Sequence, residues 1–284
     1  MVSVSPVAVL LAALCLVLGL AASAFWNRLI ERMPFDKPLR GAGVCAACGA
    51  KIPLWVEFPV LGFLLACGKN PCCQAPRGKA WLLVPLASAL LALAAFCVWL
   101  LFADLDQVEG LLKLSEISKL LVLEWLFLTL VPVFVIDFRH HLLPDSVSVG
   151  GIVFGFAVSF FPEGLSPLWS LASALVTGGG LFVFAKLVEK ALRKDAMGFG
   201  DVKLLAGYGA IMGAPLAVET LVLASLLGVC VMLPLRHFKK GALALEGGSS
   251  AGEFPFGPFL AFAAPIVFVF GGAFLEFYLG FFEL

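Results

Sequence analysis

Charge is scarce in this chain. Only 13% of its 284 residues are Asp, Glu, Lys or Arg, while 62% are hydrophobic. An ordinary soluble domain is about half apolar and about a quarter charged, so a water-soluble globular fold is excluded. Lys and Arg number 19, as do Asp and Glu, so no basic excess directs the chain to nucleic acid. No internal repeat is visible. The first apolar run, PVAVLLAALCLVLGLAASAFW at 6–26, lacks the basic n-region of a secretion signal and is longer than a typical signal core. It runs directly into a basic segment, as a retained first helix does when its C-terminal end faces the cytoplasm.

What the chain has in abundance is apolar runs. Beyond the first they lie at about 80–103, 119–136, 146–162, 167–187, 204–235 and 255–282. Roughly 20 residues span a bilayer. The runs therefore predict an all-α polytopic membrane protein with about seven or eight transmembrane helices. The run at 204–235 is longer than one span needs and contains Gly213 and Pro215, which predicts a short helix leading into a full one. The basic residues test the topology. Segments 27–79, 137–145, 186–203 and 235–254 hold 17 of the 19, leaving Lys113 and Lys119 for the other face. The positive-inside rule puts the first set in the cytoplasm and both termini outside. The expected organisation is a first transmembrane helix at 1–26, a small cytoplasmic cysteine-containing subdomain at 27–79, and a transmembrane domain at 80–284. Segment 241–254, GALALEGGSSAGEF, reads as a flexible loop.

Three aspartates stand at the cytoplasmic ends of these runs. Asp137 closes the run at 119–136, Asp145 follows it, and Asp201 stands behind a Gly-Phe-Gly triplet in AMGFGDVKLLA. A carboxylate at the edge of a span is costly unless it works or is paired. Asp145 precedes the run at 147–161 and reads as a helix cap. Asp137 and Asp201 fall at one face. Two carboxylates brought close cannot both ionise easily, so one keeps its proton and the pair supplies an acid and a base. That set can activate a water against a peptide carbonyl without a metal or a covalent intermediate. Gly198 and Gly200 are expected to let the backbone turn sharply and approach a substrate chain.

MGFGDVKLLA, with IDFRHHLLPD 64 residues upstream, resembles the bacterial type IV prepilin peptidases, a family of GxGD intramembrane aspartyl proteases. NRLIERMP at 27–34 is similar to the family's N-terminal signature, FPFGPFLA at 254–261 to its C-terminal one, and Cys45-Ala-Ala-Cys48 to the opening of its cysteine loop. The resemblance implies that Asp137 and Asp201 are the catalytic pair. It implies cleavage of the basic leader from type IV prepilins and type II secretion pseudopilins, at the cytoplasmic face of a bacterial inner membrane. It further implies methylation of the new N-terminus with S-adenosylmethionine. The family's glutamate after the cysteine loop, in a YPxxE setting, aligns with Pro85, and its tyrosine with Trp81. That departure leaves open a peptidase without the methyltransferase activity, and 27–79 carries no glycine-rich fingerprint for the donor.

Five of the eight cysteines lie in 27–79. A reducing cytoplasm disfavours disulfides, and the spacing of Cys45 and Cys48 points to a structural zinc site. Free thiols are the alternative. The family's second CxxC would fall on positions 70 and 73, but position 70 is Asn70. Cys73 fits, and Cys72, or Cys67 in its place, would complete the set. Cys15, Cys97 and Cys230 lie in spans and read as packing residues. His140 and His141 read as interfacial, Glu219 falls at an expected outer turn, and Glu124 lies in the run before Asp137. An ion-coupled transporter is the competing function. Transporters place such acids near the midplane, often in inverted repeats, whereas these sit at one interface.

Overall fold

The computed structural model describes residues 6–33, 45, 48–53, 56, 58, 60–103, 113–162, 164–193, 197–238 and 255–282. The Gly/Ser segment 241–254 and Pro34 of NRLIERMP lie outside the described residues. The elements are α1 (Pro6–Arg32), α2 (Leu61–Leu65), α3 (Ala80–Phe102), α4 (Leu114–His140), α5 (Asp145–Val158), α6 (Pro167–Leu192), α7 (Phe199–Met212), α8 (Ala214–Phe238) and α9 (Gly257–Phe282). No strand occurs among the described residues, as the apolar runs predict.

Among the described residues, five helices are long and apolar enough to cross a membrane: α1, α3, α4, α6, and α8 over Ala214–Met232. The expected count of seven or eight is not reached by length. Helix α5 has 14 residues and reaches about 21 Å, short of a hydrocarbon core of about 30 Å. The apolar part of α9 among the described side chains is Gly257–Gly272. The long run at 204–235 does divide. Gly213 has φ 90° and ψ 161°, a conformation that side-chain-bearing residues rarely adopt. It ends α7, and α8 begins at the next residue.

Two compact units are present, Met1–Pro132 and Val133–Leu284. In the first, α1 packs along α3. The polar segment between these helices has a small core of its own, Cys45, Ile52 and Val56 with Ala66 against it. In the second, α7 is the central element and packs against α5, α6, α8 and α9. It is apolar nearly all round and buried from Leu204 to Met212, the pattern of a helix enclosed by others. Side-chain hydroxyls tie α6 to it: Ser170 Oγ donates to the Ala210 carbonyl at 2.8 Å. The outer face of α6, with Leu175, Val176, Phe184 and Leu187, is exposed, as a lipid-facing surface would be.

Candidate active site

Asp137 lies in the last turn of α4 and is buried. The helix ends just after it, where His141 takes a left-handed φ of 52° and its N–H donates to the Asp137 carbonyl at 2.9 Å. The chain then passes Leu143 and Pro144 into α5. Asp201 occupies the first turn of α7 and is likewise buried. Its N–H donates to the Gly198 carbonyl at 3.1 Å.

The first turn of α9 completes the surroundings. The Gly257 N–H stands close enough to the Asp137 carboxylate to interact with it electrostatically. A Cβ at Gly257 would lie 2.8 Å from Asp137 Oδ2 and 2.9 Å from Leu143 Cδ2. A Cβ at Gly200 would lie 2.8 Å from Leu143 Cβ. Leu143 is thus wedged between α7 and α9, and neither glycine can carry a side chain without moving it. Asp137 and Asp201 stand within electrostatic reach of each other. Asp137 Oδ2 and Asp201 Oδ1 are both buried and accept no hydrogen bond among the described residues. An unpaired buried carboxylate oxygen is costly, and in a membrane protein it marks a functional site by default. Two together can orient a water and pass a proton between them.

Some expectations need correction. Gly198 has φ −65° and ψ 138° and makes no sharp turn; a Cβ there would meet only Asp201 Oδ2, at 3.5 Å. The space beside Gly200 is filled by Leu143. Asp145 is not a cap. The N-cap position is Pro144, and Asp145 opens the helix and pairs with Lys203 at 2.7 Å. Sequence reasoning missed Leu143, Lys203 and Gly257 as single residues. The signal for all three was their place inside motifs already singled out.

The cysteine subdomain gathers four thiols. The sulfurs of Cys45, Cys48, Cys72 and Cys73 all lie within 4.8 Å of one another, and Cys67 is not in the group. Two turns present them. The first is closed by the Gly49 N–H on the Cys45 carbonyl, the second by the Gln74 N–H on the Asn70 carbonyl. Asn70 therefore serves the second turn through its backbone, while Cys72 joins the thiol cluster. Sulfurs about 2.3 Å from a tetrahedral zinc are about 3.8 Å apart. The pairs Cys45–Cys73 at 3.6 Å, Cys48–Cys72 at 3.4 Å and Cys72–Cys73 at 3.9 Å fit that figure. The cluster could hold such an ion.

Comparison with known proteins bears on both halves. Residues 121–233 match the type IV leader peptidase family, and residues 17–99 match the bacterial peptidase A24 N-terminal domain. A prepilin leader peptidase/N-methyltransferase of Pseudomonas putida is 30% identical over 282 residues, covering 91% of this chain and 90% of the relative. The chain belongs to the type IV leader peptidase family. Relatives bearing the same name occur in Stutzerimonas stutzeri, 28% identical over 99% of this chain and 97% of the relative, and in Klebsiella pneumoniae, 31% identical over 73% and 87%. No solved structure matches the chain.

Within this leader peptidase the remaining polar residues find places. Glu31 of α1 accepts a hydrogen bond from Trp81 Nε1 at the start of α3, and the Arg77 guanidinium lies 3.9 Å from the centre of the Trp81 ring. Arg77 also donates to the Val56 carbonyl at 2.9 Å. A carboxylate therefore stands beside Trp81 although position 85 is proline. Glu124 is buried near Cys15, and neither of its carboxylate oxygens has a hydrogen-bond partner among the described residues. Glu219 is not in a turn. It lies inside α8, with its Oε2 2.7 Å from where a Cβ on Gly271 would be.

Proposed function

We propose that this leader peptidase is an intramembrane aspartyl endopeptidase in which Asp137 and Asp201 share one proton and activate one water. The observation that carries the proposal is the pair of buried carboxylates, in electrostatic reach, each with one oxygen that accepts nothing from the described residues. The ionised partner takes a proton from the water as it attacks the scissile carbonyl. The protonated partner donates to the carbonyl oxygen, and then a proton passes to the departing amine. Neither carboxylate can supply both transfers alone. The Gly257 N–H stands close to Asp137, and Leu143 keeps α7 and α9 in register beside the pair.

The substrates are type IV prepilins or type II secretion pseudopilins, cut at the cytoplasmic face of the bacterial inner membrane. A basic leader ahead of an apolar helix parks its junction at that interface, where the distribution of Lys and Arg puts both aspartates. The curated relatives carry N-methyltransferase in their names, and we extend that activity to this chain. S-adenosylmethionine supplies the methyl group when bound. The Trp81 ring already attracts one cation, Arg77, and a cationic donor would take that place beside Glu31. Glu31 here takes the part of the carboxylate that the family has after the cysteine loop. Zinc on Cys45, Cys48, Cys72 and Cys73 would be structural, with all four positions filled by protein and none open for chemistry.

Co-expression with a prepilin tests the reading. The mass of the product's N-terminus should fall by the leader and rise by a single methyl increment. An uncleaved precursor would remove the peptidase assignment, and a cleaved but unmethylated product would remove the transferase.

A further inference from the structure

The ion pair between Asp145 and Lys203 lies beside the candidate site and joins its two halves. Lys203 Nζ is 2.7 Å from Asp145 Oδ1. The same ammonium lies 5.0 Å from the centre of the Phe199 ring, and Phe199 meets Phe182 of α6 edge-on at 6.0 Å. Along the chain, Asp145 follows Asp137 by eight residues, through the left-handed His141 and the Leu143 wedge. Lys203 follows Asp201 by two and opens the second turn of α7. Each aspartate of the pair is therefore followed by one arm of the ion bridge.

We propose that the Asp145–Lys203 pair is a clasp that sets the separation of Asp137 and Asp201, and that both are positioning residues for cleavage. The proposal rests on the reading of Asp137 and Asp201 as the catalytic pair. The side chains are 69% and 30% exposed, and exposed ion pairs add little to stability. Their effect is geometric. Leu143 fills the space beside Gly200 and Gly257 and fixes one point of contact. The ion pair adds a second, tying the start of α5 to α7. A misplacement near 1 Å can cost a rate about a hundredfold, so a clasp can matter greatly for turnover and little for melting.

The test uses the full-length chain in detergent with a prepilin substrate. The variants are Asp145→Ala, Lys203→Ala, Lys203→Arg and the exchanged double D145K/K203D, with Asp201→Asn alongside. Each alanine variant should lose about ten- to a hundredfold in kcat with KM little changed. The exchanged double should regain at least about tenfold over the weaker single variant, and Lys203→Arg should regain most of the rate. Alanine variants at the wild-type rate overturn the proposal. So does an exchanged double no better than the singles, or a loss that appears in KM alone. Should the alanine variants fail to fold, the exchanged double and Lys203→Arg decide, since inactivity in both while folded overturns the clasp. If Asp201→Asn still cleaves, the catalytic reading itself falls. If it is dead while the alanine variants cleave normally, only the clasp falls.

Discussion

A single methyl group added at Gly257 probes the site without altering either aspartate. In Gly257→Ala the new Cβ would lie 2.8 Å from Asp137 Oδ2 and 2.9 Å from Leu143 Cδ2, where ordinary contact begins at 3.4 Å. Something must move by about 0.6 Å. Asp137 Oδ2 is the end of a short side chain and the cheapest atom to displace. If instead the backbone yielded, overpacking would cost about 1–3 kcal/mol of stability. A displaced carboxylate leaves the fold standing and spoils the attack geometry. Scaling from about a hundredfold per 1 Å, the loss in kcat should be about ten- to a hundredfold, equivalent to about 1.4–2.7 kcal/mol of barrier. The assay is kcat and KM on a prepilin, with a melting curve in the same detergent. Melting should shift by only a few degrees. A variant that keeps kcat within about twofold, or loses it only by unfolding, refutes the placement of Asp137 against α9.

Other outcomes follow from the remaining sites. Purified protein should carry about one zinc per chain by elemental analysis; Cys45→Ser and Cys48→Ser should lose it, and Cys67→Ser should keep it. Glu31→Gln should leave leader removal intact and abolish the methyl increment in the product mass. Ser170→Ala, which removes the hydroxyl bonded to the Ala210 carbonyl, should lower stability by about 0.6–1.7 kcal/mol in an unfolding titration and leave kcat unchanged.

Much of this architecture is readable from residue order. The apolar run at 6–26 lies within α1, and Gly213 with Pro215 marks the division of α7 from α8. Cys45, Cys48 and Cys73 stood out by spacing, while the fourth place stayed open between Cys72 and Cys67, because spacing within one turn does not show which thiol faces the other turn. Other features resist such reading. Hydropathy reports composition and not helix length, so α5 looked like a span although it has only 14 residues. Asp145 looked like a cap because its partner, Lys203, lies 58 residues away. Leu143 looked like any other apolar residue, since its value lies in two glycines from distant helices. Glu31 was invisible as a carboxylate for Trp81 because the contact crosses from α1 to α3.

The most direct test of the central claim is the turnover of Asp137→Asn, Asp201→Asn and the double variant on one prepilin, with insertion verified for each. If the two carboxylates act as one unit, each single variant should lose at least about a thousandfold in kcat, and the double should be no worse than either. A single variant that keeps more than about a tenth of the wild-type rate, or losses that simply multiply in the double, would contradict the account.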